Sequence, residues 1–118
     1  MAYAPLGRGF LSGAIRSRND LQPGDWRLEN PRFSEEAIAK NSRLADIVAE
    51  IAKELDVTAA QVALAWLLAR DLSIAAIPGT RRIERLTENW ASQDLILRVE
   101  HLNRLDSLIN QGVTGDRY

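Results

Sequence analysis

The sequence predicts an α/β fold made of two strand–loop–helix units and a closing helix. Three observations predict it. Two short apolar stretches, Ala2–Leu6 and Leu72–Ile77, each run into a turn built on Gly or Pro. Segments with helical period lie between and after them. One of these, Ala59–Ala69, is apolar nearly all round apart from Gln61, the pattern of a helix buried against several neighbours. The stretch Leu72–Ile77 is apolar on both faces apart from Ser73, as in a parallel strand covered on both sides. Two such units, each with a candidate anion site at the C-terminal end of its strand, are the arrangement of an α/β barrel.

Composition bounds the function. The 118 residues suit one domain, with 46% hydrophobic and 26% charged residues. That is enough apolar surface for a core, and disorder is not expected. A formal net charge of -1 gives no global field for nucleic acid or an acidic membrane, so neither is an expected partner. The absence of Cys excludes disulfides and thiolate metal sites and suits a reducing compartment. The longest apolar run, Val62–Ala69, is far too short to span a bilayer. No basic region followed by an apolar core opens the chain. The expected compartment is the cytoplasm. Met1 leads straight into Ala2-Tyr3-Ala4-Pro5, a strand end with no run-in, and the expectation is a chain that begins inside a larger fold.

The elements follow in order. After Ala2–Leu6, three glycines at 7, 9 and 13 make a backbone-rich loop. It is either a simple turn or a loop whose N–H groups and Arg8 contact a pyrophosphate. A Rossmann reading is rejected, because no helix opens at these glycines and no strand follows soon. Residues 14–33 lack a period and carry Trp26 and Phe33 as candidate walls of a substrate pocket. Ser34 caps a helix from about Glu35 to Leu55, with Leu44, Ile47, Val48, Ile51 and Leu55 on its inner face. Thr58 and Gln61 form a capping box for the apolar helix. After Leu72–Ile77, Thr80 is the expected N-cap of a helix over 81–91. A last helix spans Val99–Asn110, with Val99, Leu102, Leu105 and Ile109 inward. The tail Val113–Tyr118 is expected to be extended. His101, the one histidine, is expected on the surface with no catalytic role.

The stretch Ile77–Asn89 carries the sharpest chemistry. An apolar strand ends at Pro78-Gly79, Thr80 follows, and Arg81, Arg82 and Arg85 come within the next turn and a half. Glycine lets the backbone approach a ligand, a helix start offers free N–H groups, and guanidinium forks match phosphate. Arg81 and Arg85 are four apart and are expected to share a helix face. The plainer reading is a surface helix with solvated arginines.

Three separated motifs then resemble a known family. They are Ala2-Tyr3-Ala4-Pro5-Leu6-Gly7-Arg8-Gly9-Phe10-Leu11-Ser12-Gly13, Gln61-Val62-Ala63-Leu64-Ala65-Trp66-Leu67, and Ile77-Pro78-Gly79-Thr80-Arg81 with Arg85-Leu86 and Glu88-Asn89. In this order they resemble the aldo-keto reductase family, over roughly its last third and essentially the whole of this chain. The likeness is greatest to bacterial and plant-type reductases with an Ile-Pro-Gly-Thr motif. The resemblance implies the C-terminal part of a (β/α)8 TIM barrel: strands 7 and 8, their helices and a C-terminal helix. It implies NADP(H) as cofactor. Tyr3 would stack on the nicotinamide, and backbone at Leu6, Gly7 and Arg8 would approach the pyrophosphate. Gly79, Thr80, Arg81 and Arg85 would surround the adenosine 2′-phosphate. Glu88 and Asn89 would reach the adenine or its ribose, and an Asn amide can pair with adenine's N6/N7 edge. Gly79 departs from the branch with Lys at that position, which leaves Arg81, Arg82 and Arg85 as the charge source.

The same resemblance defines what the chain lacks. Family catalysis uses an Asp, a Tyr, a Lys and a His from earlier strands, and no residue here matches any of the four. Residues 1–118 therefore read as a partial, NADP-dependent oxidoreductase domain with no catalytic residue and no metal site of its own. The small-molecule carbonyl substrate belongs to the complete enzyme. Open strand edges make self-association an expectation. The alternative is a small, mostly helical interaction module derived from a reductase and without cofactor binding.

Overall fold

A computed structural model describes residues 1–115. The described residues form four α-helices: α1 (Glu35–Leu55), α2 (Ala59–Leu68), α3 (Ile83–Ala91) and α4 (Val99–Ile109). The two long helical stretches begin where their caps predict. The Ser34 hydroxyl accepts the Ala37 N–H at 3.1 Å, and Glu35 and Glu36 fill the first turn of α1. Asp56 ends α1 in the left-handed region at φ 53°. The capping box then restarts the chain. The Gln61 N–H donates to the Thr58 hydroxyl at 3.2 Å, and the Thr58 N–H donates to Gln61 Oε1 at 3.1 Å.

The core lies where α1, α2 and α4 meet. Val48, Ile51 and Ala52 from α1 pack with Val62 and Ala65 from α2, and with Leu97 and Leu105. Trp66 joins the edge of this cluster, and its indole N–H donates to the Asp106 carboxylate at 2.8 Å. Arg70 binds the same carboxylate and lies 4.2 Å over the Trp66 ring. A second cluster holds Ile15, Leu21, Phe33 and Ile38. The stretch 14–33 is therefore not a simple mobile loop. It is three short 3-10 turns, at Arg18–Asp20, Trp26–Glu29 and Pro31–Phe33, folded over its own apolar residues. Arg18 ties them together by donating to the carbonyls of Phe33 at 2.9 Å and Leu28 at 3.1 Å. Phe33 is a core residue, 1% exposed, and not a pocket wall.

The expected strands are the main correction. Among the described residues they reduce to one parallel bridge, Ala2 to Ala76. The Ala2 N–H donates to the Ala75 carbonyl at 2.7 Å, and the Ile77 N–H donates to the Ala2 carbonyl at 3.3 Å. Each segment has only the other to pair with, and a lone parallel pair holds few ladder bonds. The coverage expected on both faces of 72–77 is also missing: Leu72 and Ile77 are exposed. Among the described residues the two apolar segments thus meet at one bridge and form no sheet.

Further corrections concern the helix starts. The Thr80 hydroxyl accepts the Arg82 N–H at 3.2 Å, closing a turn ahead of α3, so Thr80 is not the cap. Arg82 holds the cap position without a side-chain bond, and Arg81 lies outside the helix. Arg81 and Arg85 therefore share no helix face. On α3, Ile83, Leu86 and Trp90 are exposed and no residue is buried. Val99 is exposed too and does not join the inward stripe of α4. His101 is buried rather than on the surface. Its Nδ1 accepts the Arg98 N–H at 3.2 Å at the start of α4, and its Nε2 lies 3.3 Å from Glu54. Of the expected extended tail, Thr114 and Gly115 bend. Buried Asn41 exchanges two 2.9 Å hydrogen bonds with the Thr114 backbone. Residues 116–118 lie outside the described residues.

Candidate functional site

The Ala2–Ala76 bridge decides which loops meet. It brings the end of the first apolar segment beside the end of the second, so the Gly7–Gly13 loop and the Pro78–Arg82 turn share one side of the molecule. The first loop turns sharply through three successive left-handed residues, Gly7 (φ 58°), Arg8 (φ 58°) and Gly9 (φ 98°). Gly9 is required twice over. Its φ disfavours a side chain, and a Cβ there would come 3.3 Å from Arg27 Nη1. The N–H groups of Gly7 and Gly9 donate within the turn, to Ala4 at 3.0 Å and Leu6 at 3.2 Å. They are therefore not turned outward as an anion cradle.

The loop separates two clefts. The first, about 320 Å³, is lined by Leu6, Ser12, Gly13, Thr58, Gly79, Thr80, Arg85, Glu88 and Asn89 among others. It gathers six of the residues singled out from the sequence: Leu6, Gly79, Thr80, Arg85, Glu88 and Asn89. Open space surrounds Gly79, with no atom within 4 Å of where a Cβ would sit. Arg85 Nη1 donates to both Glu88 oxygens, at 3.1 and 2.9 Å, and Gln61 Nε2 donates to the Glu88 carbonyl at 3.0 Å. The Arg85 side chain lines the cleft and is 50% exposed.

The second cleft, about 350 Å³, is lined by Tyr3, Ala4, Pro5, Gly7, Arg8, Leu11 and Arg32. It receives the other three loop residues, Tyr3, Gly7 and Arg8. Tyr3 is 57% exposed. Arg81 lines neither cleft and is exposed.

Asp25 and Arg27, which the sequence did not single out, and Trp26, expected there as a pocket wall, hold the loop in place. Arg27 Nη1 donates to the Arg8 carbonyl at 2.9 Å. Asp25 fixes Arg27 in turn, accepting from its Nη2 at 2.6 Å, its Nε at 3.0 Å and its backbone N–H at 2.9 Å. Trp26, between them, stacks under the Arg8 guanidinium at 4.8 Å. The signal was present as Asp25-Trp26-Arg27, an acid two residues before a base. Its partner at Arg8 is 19 residues away and could not be read from spacing.

Hydrogen bonds from the Arg27 side chain, then from its backbone N–H, lower the Asp25 carboxyl to about 2. A depressed carboxyl stabilises the fold above its unfolded value of 3.8 and loses that contribution as pH falls towards 2. Wild type is therefore expected to melt above Asp25→Asn at pH 5 to 7, with the gap closing between pH 4 and about 2. Melting followed by circular dichroism across that range checks it. A gap independent of pH would refute the ionic origin of the clamp.

The described residues thus form a helical framework with one parallel bridge and Gly loops beside two polar clefts. The Aldo/keto reductase family model matches residues 1–110, and the chain belongs to that family. It is 40% identical over 119 residues to "Aldo-keto reductase yakc [NADP(+)]" of Schizosaccharomyces pombe, covering 100% of this chain and 35% of that protein. It is 39% identical over 121 residues to "Aldo-keto reductase" of Gibberella moniliformis, covering 100% and 36%. With "Aldo-keto reductase str7" of Strobilurus tenacellus the identity is 36% over 121 residues, covering 99% and 35%. The chain thus spans about a third of the length of these relatives. The family implies a TIM barrel and action on carbonyl substrates. No helix among the described residues is long and apolar enough to cross a membrane.

Proposed function

We propose that the chain is the C-terminal segment of an NADP-dependent aldo-keto reductase. It carries contacts for the adenosine 2′-phosphate and the pyrophosphate of NADP(H), and it is not active by itself. The observation that carries this reading is the first cleft, where residues from three separate stretches converge: Leu6, then Gly79 and Thr80, then Arg85, Glu88 and Asn89. The donor set fits a phosphomonoester beside a nucleoside. Arg85 offers a guanidinium held in place by Glu88, Thr80 a hydroxyl, and Gly79 the open space a phosphate needs. Asn89 supplies an amide for the base. Arg81 lies in the exposed turn outside the cleft and would act on the phosphate only through its charge. Tyr3 lines the neighbouring cleft, where its ring would stack on the nicotinamide. A relative named for NADP(+) supports the choice of cofactor. When bound, NADPH would supply the hydride that reduces an aldehyde or ketone; the proton donor would come from outside this chain.

The test is a titration of NADPH against NADH, followed by tryptophan fluorescence. NADPH is expected to bind more tightly, and Arg85→Ala or Arg81→Ala to reduce that preference about tenfold, the scale of one charge-assisted hydrogen bond. Saturable binding of neither dinucleotide by the folded chain would reject the reading. It would favour the second one, a helical interaction module without cofactor. One observation speaks for that alternative: Ile83, Leu86 and Trp90 of α3 are exposed along one face.

A further inference from the structure

We propose that the outer face of α3 is a self-association surface, on which a second copy of this chain docks with its own α3 running antiparallel. This goes beyond the cofactor reading and does not depend on it. From the sequence, strand edges are the expected route to self-association. The structure reduces those strands to one bridge and exposes a helix face instead.

The face has the pattern of a helix seam. Ile83, Leu86 and Trp90 recur at spacings of three and four, which sets them in one row. They are 80%, 59% and 72% exposed. Contiguous exposed apolar side chains mark an interaction surface, whereas singly scattered ones need no explanation. Beside the row runs a groove of about 290 Å³, lined by Leu64, Leu68, Ala76, Pro78, Leu86 and Trp90 among others. Trp90 is thus both a projecting side chain and a wall of the groove. A projection beside a recess on one surface is self-complementary under a twofold axis. A large aromatic set in a recess is also the kind of anchor that carries interface energy.

Charge sets the direction. Arg82 stands exposed at the N-cap of α3, and Asp94 is exposed just after the helix ends. Both oppose the helix dipole, which favours anions at the N-terminus and cations at the C-terminus. Glu84, in the first turn and 3.7 Å from Arg82, offsets part of the mismatch at one end. An antiparallel second copy would bring its Asp94 towards Arg82 and lay an opposed dipole alongside. With the twofold axis near Leu86, Ile83 of each copy would lie opposite Trp90 of the other, and the two Leu86 side chains would meet. A parallel copy would set like charges together at both ends. The apolar row, the recess and the end charges each match their own rotated image, which is why the partner is a second copy of this chain.

The experiment is sedimentation equilibrium on the full chain at about 10 to 200 µM, the range in which a small interface populates a dimer. Wild type is expected to dimerise with rising concentration. Trp90→Glu and Ile83→Glu, at positions already exposed, should each leave a monomer with an unchanged circular dichroism spectrum. Arg82→Glu alone and Asp94→Arg alone should each weaken the dimer about tenfold, and an equimolar mixture of the two should restore it. Ile77→Lys, on the bridged segment, should leave the dimer as in wild type. A monomer throughout that range overturns the proposal. So does a dimer that survives both glutamate variants, or one that Ile77→Lys abolishes, which would place the contact at the strand edges. Failure of the charge-reversed mixture to associate better than either variant alone overturns the antiparallel arrangement.

Discussion

Phe33→Ala is expected to cost about 3–5 kcal/mol of folding stability, the range for removing a fully buried aromatic side chain. Phe33 is 1% exposed and central to the cluster of Ile15, Leu21 and Ile38. The loss has two parts, the transfer energy of the ring and the cavity left behind. The second part should be large, because the wall facing the ring is tied by hydrogen bonds and cannot collapse freely. Arg18 spans the Phe33 and Leu28 carbonyls, and the Arg27 guanidinium lies 6.0 Å over the ring. Small domains have net stabilities of only about 5–15 kcal/mol, so the loss is a large share of the total. Urea denaturation checks it. A midpoint close to wild type would mean that the 14–33 stretch does not belong to the cooperative fold. The Asp25–Arg27 clamp would then be a local feature only.

Ile51→Ala is expected to destabilise the chain by about 2–5 kcal/mol through the main core. Ile51 is 0% exposed and packs in the cluster with Val48, Val62 and Leu105, where three helices converge. Ile51→Val removes one methylene and should cost about 0.5–1.5 kcal/mol. The ratio between the two variants is itself a check, because a graded series marks a packed core. Equal losses from both would point to disrupted backbone rather than lost volume. Denaturation of the pair by urea, with the slope m compared, separates those outcomes.

The core helices were legible because their signals are local. Ser34 with Glu35 and Glu36, and Thr58 with Gln61, carry their own cap chemistry within three residues. Leu44, Ile47, Val48, Ile51 and Leu55 report their shared face through the 3.6-residue period alone, and all five are in or against the core. Thr80 misled for a related reason. A Thr before a charged helix can cap it or close a turn two residues early, and both use the same hydroxyl. His101 misled because its neighbours along the helix are charged, whereas its burial comes from Glu54 and the turn at Arg98.

For the candidate site, Leu6, Gly79, Thr80, Arg85, Glu88 and Asn89, singled out from separate motifs, line one cleft. Tyr3, Gly7 and Arg8 fall on the other side of their loop. Arg81 falls outside both, because α3 starts two residues later than Thr80 suggested. Arg27 and Arg32 went unread, since each acts on a residue 19 or 83 positions away.

By itself, then, the sequence determined the helix periods, the caps, the glycine turns and the motifs that carry the family likeness. These are properties of residues within a turn or two of one another, where steric and hydrogen-bond preferences act without help from the rest of the chain. Tertiary structure alone decided that the two apolar segments meet at only Ala2 and Ala76. It alone decided that Arg85 is balanced by Glu88 beside the first cleft. Strand pairing and charge balance are sums over groups distant in sequence, and each residue's share depends on which neighbours the fold brings to it.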